Sequence, residues 1–398
     1  FLKTNVPQAL LSTDCSNPVY GETHNPWNLA RSPGGSSGGE AALIACGGSV
    51  LGLGTDIGGS LRIPAHMCGI YSLKPTAGRL PLNIGRSLNP GFESIPSTCG
   101  PMGTSVDDLI MMMRVLCNGE RLDAVVPPLP FNESALTSSK KLKYGYFATT
   151  DFYDTCPATK RAVMETVEKL REAGHEVVEF LPVEAERSTV VACNLLSSDG
   201  WSSIKSYLQY EDIDYTFKSL YWIATSSYIA KAVVGFLGRL LGYHKSLPVT
   251  RATVYSVSDA NNLQKDKHRL RQAYVDAFHN AGIDVLIAPA FATPAGIPGT
   301  FNLSSTMLYY TVVWNLVNFP SGVVPVTLVK DQENNAPRNK QLTDPIFQTI
   351  NKDTDGLPIG VQLVGLPWEE ETVLKAMKEV EELIPFQEGK ALRLKYVD

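Results

Sequence analysis

Residues 32–40 read Ser-Pro-Gly-Gly-Ser-Ser-Gly-Gly-Glu, and residues 52–64 read Gly-Leu-Gly-Thr-Asp-Ile-Gly-Gly-Ser-Leu-Arg-Ile-Pro. Glycines on both sides of a serine open backbone conformations closed to other residues, so that successive N–H groups can converge on one point. Such a nest suits an oxyanion, and acyl transfer needs one because the tetrahedral intermediate carries a full negative charge on the former carbonyl oxygen. Ile57, Gly58, Gly59 and Ser60 are the candidate donors. A serine hydroxyl attacks only once its proton has somewhere to go. His24 and His66 are the histidines closest in sequence, yet no third group is evident to orient either, and both read as ordinary polar residues. The alternative is a relay in which Ser36, in its own glycine-rich loop, takes the proton from Ser60 and passes it to a neutral lysine. Either loop alone also reads as a plain tight turn. A nucleotide cradle has little support: there is no G-x-x-x-x-G-K-[ST], and no G-x-G-x-x-G opens a helix after a strand.

Working outward, residues 38–47 read as a short helix ended by glycine, and 50–54 as an apolar strand. Ser105, with Asp108 three positions on, caps a second helix. Strand 143–147, a helix opened by Pro157 and running to Glu172, the stop at Ala173-Gly174, and strand 176–180 make a β-α-β unit. A helix over 258–281 leads into Asp284-Val-Leu-Ile-Ala-Pro, and the apolar runs 322–329 and 358–366 read as buried strands. The pattern predicts an α/β fold with a central twisted mixed or parallel sheet flanked by many helices. No linker-like tract divides the chain, so one domain over 1–398 is expected.

Composition narrows the function. With 44% hydrophobic residues and a net charge of -5, the chain can bury a large core and has no general affinity for nucleic acid. Seven cysteines, scattered and without a C-x-x-C pair, suggest neither a disulfide framework nor a zinc site, and fit a reducing, intracellular compartment. The dispersed histidines offer no metal spacing, so neither a metal nor a cofactor is expected. Between Leu220 and Tyr243 nearly every residue is apolar or small, interrupted by Lys231 and Arg239. This stretch reads either as a buried helix hairpin or as a pair of short helices lying in a membrane interface, with the two cations at headgroup level.

Taken together, Gly-Gly-Ser-Ser-Gly-Gly at 34–39, Gly-Thr-Asp-Ile-Gly-Gly-Ser at 54–60 and Gly-Ile-Tyr-Ser-Leu-Lys-Pro-Thr at 69–76 resemble the amidase signature. Asn5-Val-Pro-Gln, Asp14-Cys-Ser-Asn-Pro, Asn318-Phe-Pro-Ser-Gly-Val-Val-Pro-Val and Leu366-Pro-Trp-Glu-Glu are similar to the fatty acid amide hydrolases within that family. The resemblance implies a single amidase-signature domain and a Ser-Ser-Lys triad, with Ser60 as nucleophile and Ser36 as bridging serine. Ser37 and Thr55 would position the loop, and Asp56 and Arg62 would hold the nucleophile turn by pairing, or else form a mere surface pair. Leu10, Leu11 and Val324 would line an acyl channel. The implied activity is hydrolysis of long-chain fatty acid amides, in lipid metabolism at an endomembrane surface, with a homodimer as the assembly to test. The 220–245 stretch falls where that family carries a membrane-binding helix pair. The family's lysine lies upstream of the point corresponding to Phe1. The chain therefore reads as N-terminally truncated, and little or no turnover is expected from it in isolation. An amidotransferase subunit for tRNA-dependent amidation and a scaffold without catalysis are the alternatives.

Overall fold

The computed structural model describes residues 2–82, 91–118, 122–243, 256–301, 305–335, 339, 340, 342, 343 and 345–397. The strands are β1 (Ser16–Asn17), β2 (Gly21–Glu22), β3 (Leu51–Asp56), β4 (Tyr71–Lys74), β5 (Thr98–Gly103), β6 (Lys143–Tyr146), β7 (Glu176–Glu179), β8 (Val285–Pro289), β9 (Ser321–Leu328) and β10 (Pro358–Val364). β1 and β2 form a small ribbon, and the other strands form one sheet in the order β3-β5-β4-β9-β10-β8-β6-β7.

The sheet is mixed. The β8, β6 and β7 strands run parallel, while every pairing from β3 across to β8 is antiparallel. The parallel part is where strand–helix–strand order recurs: helix Pro157–Glu172 joins β6 to β7, and helix Val257–Ala281 precedes β8. A parallel neighbour requires such a crossover. Capping follows the sequence signals, with the Ser105 side chain accepting from the Asp108 N–H at the start of helix Val106–Leu116.

Although β10 is antiparallel to both neighbours, all of its residues are buried, as are those of β8. Two-faced burial explains why these strands read as continuous apolar runs and not as alternating ones. Gln362 is the exception in β10: its Oε1 accepts from Arg62 and its Nε2 donates to Tyr310 O. The two serine loops lie beside β3, at the edge of the sheet. Helix α1 (Gly38–Ala45) follows the first serine loop, and helix α2 (Arg62–Cys68) follows the second.

The apolar stretch after Leu220 lies in two helices, Tyr215–Thr225 and Tyr228–Leu240. Ile229, Val233, Phe236, Leu237, Leu240 and Leu241 are all at least half exposed, so the second helix is not a buried hairpin arm. No helix among the described residues is long and apolar enough to cross a membrane.

Candidate active site

The turn after β3 is organised by one carboxylate. Asp56 Oδ1 accepts the Gly59 N–H at 2.8 Å, and Oδ2 accepts the Leu61 N–H at 3.1 Å. Ser60 is thus bracketed by two amides drawn inward, and its own side of the turn is left only partly buried. Arg62 closes the grip, donating from Nε to Oδ2 and from Nη2 to Oδ1, each at 3.0 Å. Both side chains are fully buried, which removes the surface-pair reading. Burial alone would raise the Asp56 carboxyl, but the charge and hydrogen bonds of Arg62 outweigh it and hold the group below the ordinary carboxylate range.

Residues far along the chain complete the cluster. Asn315 Nδ2 donates to Asp56 Oδ1 at 2.8 Å and Arg62 Nη2 donates to Asn315 Oδ1 at 2.6 Å. The remaining arm, Nη1, donates to Thr311 O at 2.9 Å and to Gln362 Oε1 at 2.8 Å. None of Thr311, Asn315 and Gln362 was singled out from the sequence. The available signal was a lone amide inside an apolar segment: Asn315 in Tyr-Tyr-Thr-Val-Val-Trp-Asn-Leu and Gln362 in Pro-Ile-Gly-Val-Gln-Leu-Val. A buried amide of this kind has to find partners.

The first serine loop packs directly on this turn. The Ser37 N–H donates to Ser60 O at 3.1 Å, and the Ser37 hydroxyl meets the Thr55 backbone, accepting from N at 3.3 Å and donating to O at 3.5 Å. Ser36, next to Ser37, is buried. Gly35 is required by space, because a Cβ there would stand 2.4 Å from the carbonyl oxygens of both Ser12 and Asp14. Gly59 is required by conformation and space together: its φ is +134°, and a Cβ would lie 2.4 Å from Thr311 Oγ1. Of the amides expected to serve an oxyanion, that of Gly59 is spent on Asp56. Those of Ile57, Gly58 and Ser60 meet no acceptor among the described residues.

The chain belongs to the amidase family. The amidase family model matches residues 1–374. Fatty-acid amide hydrolase 1 of Sus scrofa is 37% identical over 96% of this chain and 68% of its own length. Fatty acid amide hydrolase 1 of Caenorhabditis elegans is 36% identical over the same shares. A solved structure of a fatty acid amide hydrolase superposes with a TM-score of 0.79 at 26% identity, over 96% of this chain and 65% of that one. The chain thus spans about two thirds of the length of these relatives.

The other expected residues sit as follows. His66 is fully buried, accepting from Gly360 N at 3.1 Å, while its other ring nitrogen lies 3.1 Å from Thr293 O. Burial pushes its pKa down to about 4, and it ties two segments together. His24 lies half exposed beside Glu22. The three apolar residues assigned to a channel do not share one cluster: Leu10 is 38% exposed, Leu11 packs against the Trp201–Phe217 group, and Val324 is in the main core. Lys74 is fully buried, and burial, helped by the nearby Arg62 charge, lowers its pKa to about 7. Its ammonium donates to Pro75 O at 3.0 Å. Surface grooves of ≈ 480 Å³ beside Lys378 and ≈ 340 Å³ beside Asn5 are lined by neither Ser36 nor Ser60.

Proposed function

We propose that this chain carries the acyl-transfer site of a serine amidase acting on long-chain fatty acid amides, with Ser60 as nucleophile. The observation that supports this best is the Asp56 carboxylate bracketing Ser60 through the Gly59 and Leu61 amides. Ser60 between these amides is only partly buried, and the Ile57, Gly58 and Ser60 N–H groups, which meet no acceptor among the described residues, remain for a developing alkoxide, whose stabilisation is usually the largest single source of rate in acyl transfer. Ser60 Oγ attacks the amide carbon and its proton passes to Ser36, whose loop is bonded to Ser60 through Ser37. A lysine beyond Ser36 receives the proton and returns it to the leaving amine, and water then cleaves the acyl-serine ester. Lys74 is not bonded to Ser36 among the described residues, so this reading gives the final acceptor role to another lysine. Support for a long acyl chain comes from the similarity to the fatty acid amide hydrolases named above, and burying each CH₂ would contribute about 0.8 kcal/mol that can hold the carbonyl in place. The exposed apolar face of helix Tyr228–Leu240 would rest on the membrane from which such a substrate is drawn.

A fluorophosphonate probe on the intact protein tests the assignment. Ser60 is the expected adduct site, and Ser60→Ala is expected to abolish both labelling and hydrolysis. Equal labelling of Ser60→Ala would remove Ser60 from the mechanism. Turnover that is lost in Lys74→Met while the fold is kept would move the base to Lys74.

A further inference from the structure

We infer that Thr311 is a positioning residue for this reaction, its hydroxyl and the Asp56 carboxylate together fixing the Gly58–Gly59 peptide so that the flanking amides face the oxyanion. The inference rests on Ser60 being the nucleophile. Thr311 Oγ1 donates to Gly58 O at 2.7 Å. Across the same peptide unit, the Gly59 N–H donates to Asp56 Oδ1 at 2.8 Å. The C=O and N–H of a planar trans peptide point in opposite directions, so two side chains from different parts of the fold grip one plane at both edges. Rotating that plane would break both bonds and carry the Gly58 carbonyl oxygen toward a buried carboxylate.

The grip has a rigid anchor. Thr311 belongs to helix Tyr309–Leu316, all of whose residues are buried. Its own carbonyl accepts from Arg62, and Asn315, one turn further on, bonds to both Asp56 and Arg62. The Thr311 side chain also occupies the space beside Gly59, where an added Cβ would meet Oγ1 at 2.4 Å and Cβ at 2.7 Å. The hydroxyl has one proton and a second acceptor in reach, Leu308 O at 3.1 Å, and Gly58 O is the closer.

Fixing the central peptide sets its neighbours. With the Gly59 N–H turned to Asp56, the Gly58 N–H on one side and the Ser60 N–H on the other remain as donors, in an orientation that two non-adjacent side chains maintain. Loss of the Thr311 hydroxyl would loosen that orientation while leaving the volume filled. Because the effect falls on a charge that exists only in the transition state, it should lower kcat and spare KM.

The test compares Thr311→Val, which keeps the shape and deletes the hydroxyl, with Thr311→Ser, which restores it. In the intact protein hydrolysing a long-chain primary amide, Thr311→Val is expected to lower kcat about 10- to 100-fold, below the full loss of an oxyanion donor. KM should be unchanged and Thr311→Ser within about threefold of wild type. A trifluoromethyl ketone, whose serine adduct carries the same oxyanion, should lose affinity by the same factor as kcat. Wild-type kcat in Thr311→Val would show that the hydroxyl serves only Leu308 and overturn the inference, as would equal loss in both variants or a rise in KM alone. Should Thr311→Val not accumulate as folded protein, Thr311→Ala carries the same comparison against Thr311→Ser. Ser60→Ala separates the two readings: full activity there ends the Ser60 assignment, whereas an inactive Ser60→Ala beside a normal Thr311→Val ends only the role given to Thr311.

Discussion

Replacing Arg62 by Met tests whether the Asp56 carboxylate is charged and buried. The substitution removes both guanidinium bonds to Asp56 and strands the partners of the remaining arm, Thr311 O and Gln362 Oε1. Asp56 keeps the Gly59, Leu61 and Asn315 donors but loses the positive charge that offsets its burial. Breaking a fully buried pair from one side costs about 3–5 kcal/mol. With an unfolding entropy of about 2.1 cal/mol/K per residue, a chain of 398 residues loses roughly 1 °C of Tm per 0.8 kcal/mol, so a fall of about 4–6 °C is expected.

The pH dependence is the sharper measurement. In the wild type the Asp56 carboxyl lies below its ordinary value, so its contribution is present above pH 4 and fades as pH falls through the folded value. Without Arg62, burial raises the carboxyl above that value, and the sign reverses. The folded variant then binds more protons than its unfolded chain, and stability drops as pH rises from about 4. The gap in Tm between the two proteins should therefore widen from pH 4 to pH 7 in calorimetry. Adding Asp56→Asn to Arg62→Met should recover part of the loss, since a neutral amide can stay buried. A gap that is constant across this range, or that narrows with rising pH, would refute the reasoning.

Lys74 gives the opposite experiment, because its ammonium is disfavoured in the folded state, where it titrates at about 7 against 10.5 for an ordinary lysine. Between those values the unfolded chain holds more protons, so Lys74 makes stability rise with pH. Lys74→Met should flatten that rise in urea midpoints measured at pH 7, 8 and 9, and an unchanged slope would mean that the ammonium is not buried in solution. For the exposed helix, Phe236→Ser with Leu237→Ser should weaken co-sedimentation with phosphatidylcholine–phosphatidylserine vesicles about tenfold or more, since a buried Leu or Phe contributes about 1.5–3 kcal/mol. Undiminished co-sedimentation would assign that face to something other than lipid.

How much of this was readable beforehand depends on the distance over which each contact acts. The two serine loops were legible because close backbone approach leaves a local trace: only glycine fits at Gly35 against Asp14, or at Gly59 with φ +134°. The pairing of Asp56 with Arg62 was implied by the resemblance to the amidase signature and not by spacing alone, which left a surface pair open; only their complete burial decides between the two. The β6–β7 unit was readable from its single crossover helix, and the mixed sheet follows from how few such crossovers there are. The strand order was not readable, because β9 and β10, which occupy the centre, come from the last third of the chain and bring no local signal of which neighbours they will take.

The support of the turn around Ser60 was hidden for a related reason. Thr311, Asn315 and Gln362 contact Asp56, Gly58 or Arg62 across some 250–300 positions of sequence, and each lies in a segment whose apolar pattern already accounts for its burial. Only the chemistry of a buried amide or hydroxyl, which must be satisfied somewhere, marks these residues as odd. Folding brings them to a guanidinium, a carboxylate and the carbonyl of a glycine held in a turn, where their hydrogen-bonding groups are satisfied. An acyl-transfer site of this kind therefore has two layers with different legibility. The atoms that would meet substrate lie on short glycine-rich loops and announce themselves, while the groups that keep those loops from turning away come from distant elements. Substitutions in that second layer should lower kcat with little trace in KM, which is the pattern expected of Thr311.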